Sequence, residues 1–145
     1  MYPDYLELLR YLNDNKVRYL IIGGYAVIQY TEPRYTKDLD IWIEPSKANA
    51  KKVLKALTDF GAPVDNLSIS ELATPGLIYV FGIPPIRVDL LNKPSGATFA
   101  TSWKTKIKVD VGGVVANFIS KAALIRLKRA AARPQDLADL DKLAK

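Results

Sequence analysis

Leu39, Ile41 and Ile43 alternate with Asp38, Asp40 and Trp42. A period of two is that of a strand, and it predicts an extended segment with both aspartates on one face and the aliphatic residues on the other. Other segments repeat every three or four residues instead. Tyr5, Leu8, Leu9 and Leu12 predict a helix opened by a capping box of Asp4 and Glu7. Ala50, Val53, Leu54 and Leu57 predict a second, capped by Ser46 and stopped at Gly61. Leu124, Leu127 and Ala131 form the stripe of a third, capped by Ser120, stapled by Ile119 and Leu124, with Arg126, Arg129 and Arg133 on another side. A last helix is expected over residues 134–144, with Pro134 in its first turn.

Between these lie shorter signals. Tyr19–Ile22 is an apolar run ending in Gly23-Gly24, which reads as a buried strand feeding a turn, followed by a brief helix over residues 26–30. Residues 77–81 and 86–91 read as two strands joined through residues 82–85. Residues 92–105, rich in Lys, Pro, Ser, Gly and Thr, are expected to be a loop. Residues 106–111 and 114–118 flank Gly112-Gly113, a strong hairpin signal. This order predicts an α/β (α+β) chain, a mixed sheet with helices packed against it, in one domain over residues 1–145.

The composition removes whole classes of chemistry. The 145 residues include no Cys and no His. Disulfides, thiolate nucleophiles, zinc knuckles and imidazole catalysis are all excluded. Any chemistry falls to carboxylates, Lys, Tyr or hydroxyls, and any metal to Mg²⁺, Mn²⁺ or Ca²⁺, which take oxygen ligands. The acidic start MYPDYLELLR and the absence of a long apolar run predict a cytoplasmic protein with no membrane segment. The net charge of +6 lies wholly in residues 104–145, which carry ten basic and four acidic side chains, whereas residues 1–103 balance. Such a region suits a polyanion, although a solvated helix face has the same composition.

Three aspartates stand where core residues are expected. Asp38 and Asp40 share a strand face, and Asp89 sits amid Val88, Leu90 and Leu91. A buried carboxylate requires a partner. Ion pairs with Arg34, Lys37 or Arg87 would supply one, and convergence of all three on a single cation would supply another. Gly23-Gly24, at a strand-to-helix turn, allows backbone N–H groups to approach a phosphate closely.

Together, Ile22-Gly-Gly24, then Asp38-Leu-Asp40-Ile41 after thirteen intervening residues, then Val88-Asp89-Leu90, resemble the signature of the DNA polymerase beta-like nucleotidyltransferases. The segments 23–27 and 34–41 look closest to small bacterial and archaeal members, including the nucleotidyltransferase toxins of abortive-infection systems. The run from Lys121 to Leu143 is similar to their two closing helices. One departure is Gly24, where many active members have Ser, so backbone N–H groups replace a hydroxyl there.

The resemblance implies a nucleotidyltransferase fold and transfer of a nucleoside monophosphate from an NTP to an acceptor hydroxyl, with release of pyrophosphate. It implies that Asp38 and Asp40 hold two Mg²⁺ ions (or Mn²⁺), and that Asp89 completes one metal site and helps deprotonate the attacking hydroxyl. Gly23 and Gly24 would cradle the β and γ phosphates. Arg34, Thr36 and Lys121 are expected to contact the triphosphate or acceptor, and Tyr25, Tyr35, Trp42 and Trp103 are candidates to stack on a base. The basic C-terminal third favours an RNA end, tRNA above all, as acceptor. An aminoglycoside or lincosamide, a protein hydroxyl in a toxin–antitoxin pair, or nucleotide and RNA binding without turnover are the alternatives. So short a chain leaves little room for an acceptor domain, so a homo-oligomer or a partner subunit is expected to complete that surface.

Overall fold

The computed structural model describes residues 1–145. In chain order it contains α1 (Pro3–Asp14), β1 (Tyr19–Ile22), α2 (Gly23–Tyr30), β2 (Leu39–Ile43), α3 (Lys47–Phe60), α4 (Ile69–Ala73), β3 (Ile78–Ile83), β4 (Ile86–Leu91), α5 (Phe99–Lys104), β5 (Ile107–Val111), β6 (Val114–Phe118), α6 (Lys121–Ala131) and α7 (Pro134–Leu143). The six strands form one mixed sheet in the order β3-β4-β2-β1-β6-β5. β1 runs antiparallel to β2 and parallel to β6, and β2 runs parallel to β4. The hairpins β3–β4 and β5–β6 close the two flanks.

All four residues of β1 are buried, as expected of a central strand covered on both faces. One hydrophobic core runs through the molecule, from Tyr5, Leu8, Leu9 and Leu12 of α1 through β1 and β2 to Leu124, Leu127 and Leu143 of the last two helices. α1 and α3 pack together and α4 joins α3, while α2 packs on β1 and β2 and meets α6 and α7. The expected stops and caps are present. Ser46 accepts from the Asn49 N–H, Ser120 accepts from the Ala123 N–H, and Gly61 ends α3 with φ +95°.

Four expectations change. α1 has no capping box: Tyr2 is its N-cap, Pro3 occupies the first turn, and Asp4 lies inside it, where its charge favours the helix dipole. α2 starts at Gly23 rather than at residue 26. Residues 92–105 hold α5, capped by Thr98, because Phe99 and Ser102 have a core to bury against. Trp42 is buried as well, although strand alternation puts it on the aspartate face. Phe99 covers it edge-on at 5.4 Å between ring centroids. The short α4 has its own capping box of Ser68 and Glu71.

Candidate active site

Asp40 lies in β2 and Asp89 in β4, and the parallel pairing makes them direct register partners. Ile22, the last residue of β1, is the partner of Asp40 on the other side. The chain turns at Gly23, where φ is +70°, a conformation that costs glycine little. A second reason for glycine is steric. A Cβ at Gly23 would stand 2.0 Å from Asp40 Oδ2, and one at Gly24 would stand 1.9 Å from Thr36 Oγ1. The glycine pair and the Thr-x-Asp-x-Asp run are therefore two halves of one close approach: Gly23 makes room for Asp40 and Gly24 for Thr36.

Asp38, Asp40 and Asp89 line a cleft of about 780 Å³, together with Gly23 and, from the facing helices, Leu124, Leu127, Lys128 and Arg133. Asp38 sits one residue ahead of β2, not within it. The three carboxylates are not closed into a ready set of metal ligands. Arg87 lies between two of them, with Nε 2.9 Å from Asp89 Oδ1 and 3.6 Å from Asp38 Oδ2. Asp40 has no such cation in contact. Burial first, then the negative charges of Asp89 and Asp38, push its carboxyl up from 3.8 to about 7, against the opposing influence of Lys128 and Arg133. An all-oxygen set of two in-register carboxylates with a third close by, mutually repelling and facing a cleft, is suited to a hard divalent cation.

The facing wall is built on a buried ion network. Lys128 is only 8% exposed, and its Nζ lies 3.1 Å from Asp136 Oδ1 and 3.0 Å from Asp139 Oδ2. Arg133 adds a 2.8 Å contact to Asp136 Oδ2, and Arg34 reaches Asp139 Oδ1 at 2.9 Å. Burial pushes the Asp136 carboxyl upward, but its bonds to Arg133 and Lys128 prevail and hold it at about 2. The network ties α6 and α7 to the segment that leads into Asp38.

The other expected contacts are distributed differently. Arg34 is committed to Asp139, although its buried Nε is unpaired. Thr36 is packed under Gly24, and neither Arg34 nor Thr36 lines the cleft. Lys121 opens α6 two turns before Lys128, about 10 Å along the helix axis, and lies outside the cleft lining. Trp42 is core and cannot stack on a base. Besides Arg87, the cations that line the cleft with the carboxylates are Lys37, Lys128 and Arg133. Lys128 could not be picked out beforehand, because its partners Asp136 and Asp139 lie across a helix–helix turn.

The fold recurs in solved structures of low sequence identity. A lincosamide antibiotic adenylyltransferase, LnuA, bound to lincomycin, is 19% identical with a TM-score of 0.60, over 100% of this chain and 97% of that one. ANT(2")-Ia in complex with adenylyl-2"-tobramycin is 12% identical with a TM-score of 0.62, over 95% and 84%. An antigenic nucleotidyltransferase-like protein from Paracoccidioides brasiliensis is 15% identical with a TM-score of 0.54, over 97% and 76%. No curated protein matches the chain in sequence. No helix is long and apolar enough to cross a membrane. A family model described as a nucleotidyl transferase of unknown function (DUF2204) matches residues 2–145, and the chain, with its paired aspartates beneath a glycine turn, belongs to that family.

Proposed function

We propose that the chain transfers a nucleoside monophosphate from an NTP to a hydroxyl of an RNA end, releasing pyrophosphate. The observation that carries this reading is the register pairing of Asp40 with Asp89 inside a cleft whose opposite wall holds Lys128 and Arg133. Asp38, Asp40 and Asp89 would hold Mg²⁺, which when bound neutralises triphosphate charge and activates the attacking hydroxyl. Asp89 would accept the hydroxyl proton. Gly23, at the N-terminus of α2, would present a backbone N–H to a phosphate oxygen. Lys128 and Arg133 face the same space and favour the anionic end of the nucleotide. Most of the rate enhancement would come from positioning and charge neutralisation.

The acceptor reading rests on the basic excess of residues 104–145, ten basic against four acidic side chains, which suits the phosphates of an RNA end. A second reading is an antibiotic acceptor, favoured by the near-full-length likeness to two antibiotic nucleotidyltransferases.

Thermal unfolding with Mg²⁺ and each NTP tests the donor half. Ligand at about 100 times its dissociation constant stabilises by about 2.7 kcal/mol. A metal-dependent shift that disappears in Asp40→Asn is expected, and no shift with any NTP would overturn the reading. Incubation with radiolabelled NTP and either RNA or lincomycin and tobramycin then separates the two acceptors by where the label goes.

A further inference from the structure

We infer a second anion site at the opposite end of β1, a groove that holds the phosphodiester backbone of single-stranded RNA. Lys16, Arg18, Lys52 and Lys108 converge there on one recess of about 540 Å³. They come from three separate stretches of chain: the α1–β1 connection, which holds Lys16 and Arg18, then α3 and β5. No carboxylate lines the recess. Only Arg18 has an acidic partner, Glu44 at 3.2 Å, and both of those side chains remain partly exposed. Lys16, Lys52 and Lys108 have no acidic partner and, with Arg18 beside them, repel one another, and a polyanion relieves that repulsion.

Trp103 organises the site. The Lys106 ammonium lies 4.0 Å from its ring centroid and the Arg18 guanidinium 5.6 Å. Phe99 stacks against the same indole at 5.7 Å with a 21° tilt. The ring is thus already in use, and it anchors two cations rather than offering a free face to a base. Lys16 is held at φ +55°, a left-handed conformation uncommon for lysine. Asn117, register partner of Lys108, adds a largely buried side chain to the floor. Contacts of this kind read charge and not sequence. A single strand, whose backbone bends to follow a basic groove, is the occupant that suits transfer to an RNA end.

The groove and the aspartate cleft lie at opposite ends of the four-residue strand β1. This inference rests on the RNA reading of the acceptor: the groove grips the body of the strand while its end reaches the cleft.

The test is fluorescence anisotropy with a labelled mixed-sequence 12-nucleotide RNA, on the full chain and on the triple variant Lys16→Asn, Lys52→Gln, Lys108→Gln. All three side chains are exposed, so the variant is expected to fold, and an unchanged Mg²⁺–NTP thermal shift verifies that. The triple variant should bind at least about tenfold more weakly at 0.1 M salt, and the slope of log affinity against log salt should fall by about 2, at about 0.7 for each lost phosphate contact. The triple variant Lys16→Arg, Lys52→Arg, Lys108→Arg should restore binding. Equal RNA affinity in the unmodified chain and the Gln/Asn variant would overturn the groove. So would absence of RNA binding by a chain that still shows the Mg²⁺–NTP shift, an outcome that leaves nucleotidyl transfer standing. Binding of an acidic protein in place of RNA would also overturn it.

Discussion

Arg87 holds Asp89 and Asp38 at the same time, with its Nε 2.9 Å from one carboxylate and 3.6 Å from the other. The guanidinium is the counter-ion of two of the three cleft carboxylates in the metal-free chain, and a divalent ion entering between them must compete with it. Replacing Arg87 with Gln should tighten Mn²⁺ binding severalfold in the absence of nucleotide, measured by electron paramagnetic resonance. Weaker binding would instead mean that Arg87 orients Asp89 for the metal.

Asp40 is the carboxylate left without a contacting cation, and its acid constant gives a sign to test. Its folded value of about 7 lies above the ordinary 3.8. The folded chain therefore binds this proton more tightly than the unfolded chain does, and the stability it contributes is lost as pH rises from about 4 through 7. Asp40→Asn should flatten that decline and raise the stability of the metal-free protein at pH 8 by roughly 1–3 kcal/mol, after discounting for solvent in the cleft. The same variant should lose nucleotidyl transfer by a factor on the order of 10³ or more, because several kcal/mol of charge stabilisation go with it. Denaturant melts across pH 4–8, with one activity assay, check both signs.

Asp139 is fully buried and links Arg34 to Lys128. Asp139→Ala leaves two cations facing a vacated buried position and should destabilise by about 3–5 kcal/mol. Asp139→Asn keeps the shape and should cost less. A urea series on both variants tests the ordering. Equal losses would show that packing, and not charge, holds α7 to the segment before Asp38.

Gly23→Ala combines a left-handed backbone with a Cβ placed 2.0 Å from Asp40 Oδ2. The backbone alone costs on the order of 1–3 kcal/mol, and the clash must also move the carboxylate. Activity should fall with stability. At Gly61, where φ is +95° but the space is open, alanine should lower stability while leaving transfer intact. Melting temperatures and turnover of the two variants, side by side, separate strain from displacement of Asp40.

Much of this protein is set by short-range pattern. Residue period, the caps at Ser46 and Ser120, the stop at Gly61 and the hairpin at Gly112-Gly113 are local, and local sterics and hydrogen bonding decide them. The motif of Gly23-Gly24 and the three aspartates is legible for the same reason: the spacing of residue types is a property of the chain. Where the environment decides, sequence falls short. Trp42 is buried because Phe99, 57 positions later, covers it, and α5 forms in a polar stretch because its two buried residues have somewhere to go. Asp40 and Asp89 become neighbours only through the parallel pairing of β2 with β4, which no periodicity encodes. Lys128 turns from a helix-surface lysine into a cleft residue because Asp136 and Asp139 draw it inward, and Arg34 is drawn to Asp139 across 105 positions. Charge in a linear sequence has sign and spacing, but its partner is chosen by the folded chain, since only burial makes one ion pair worth more than another.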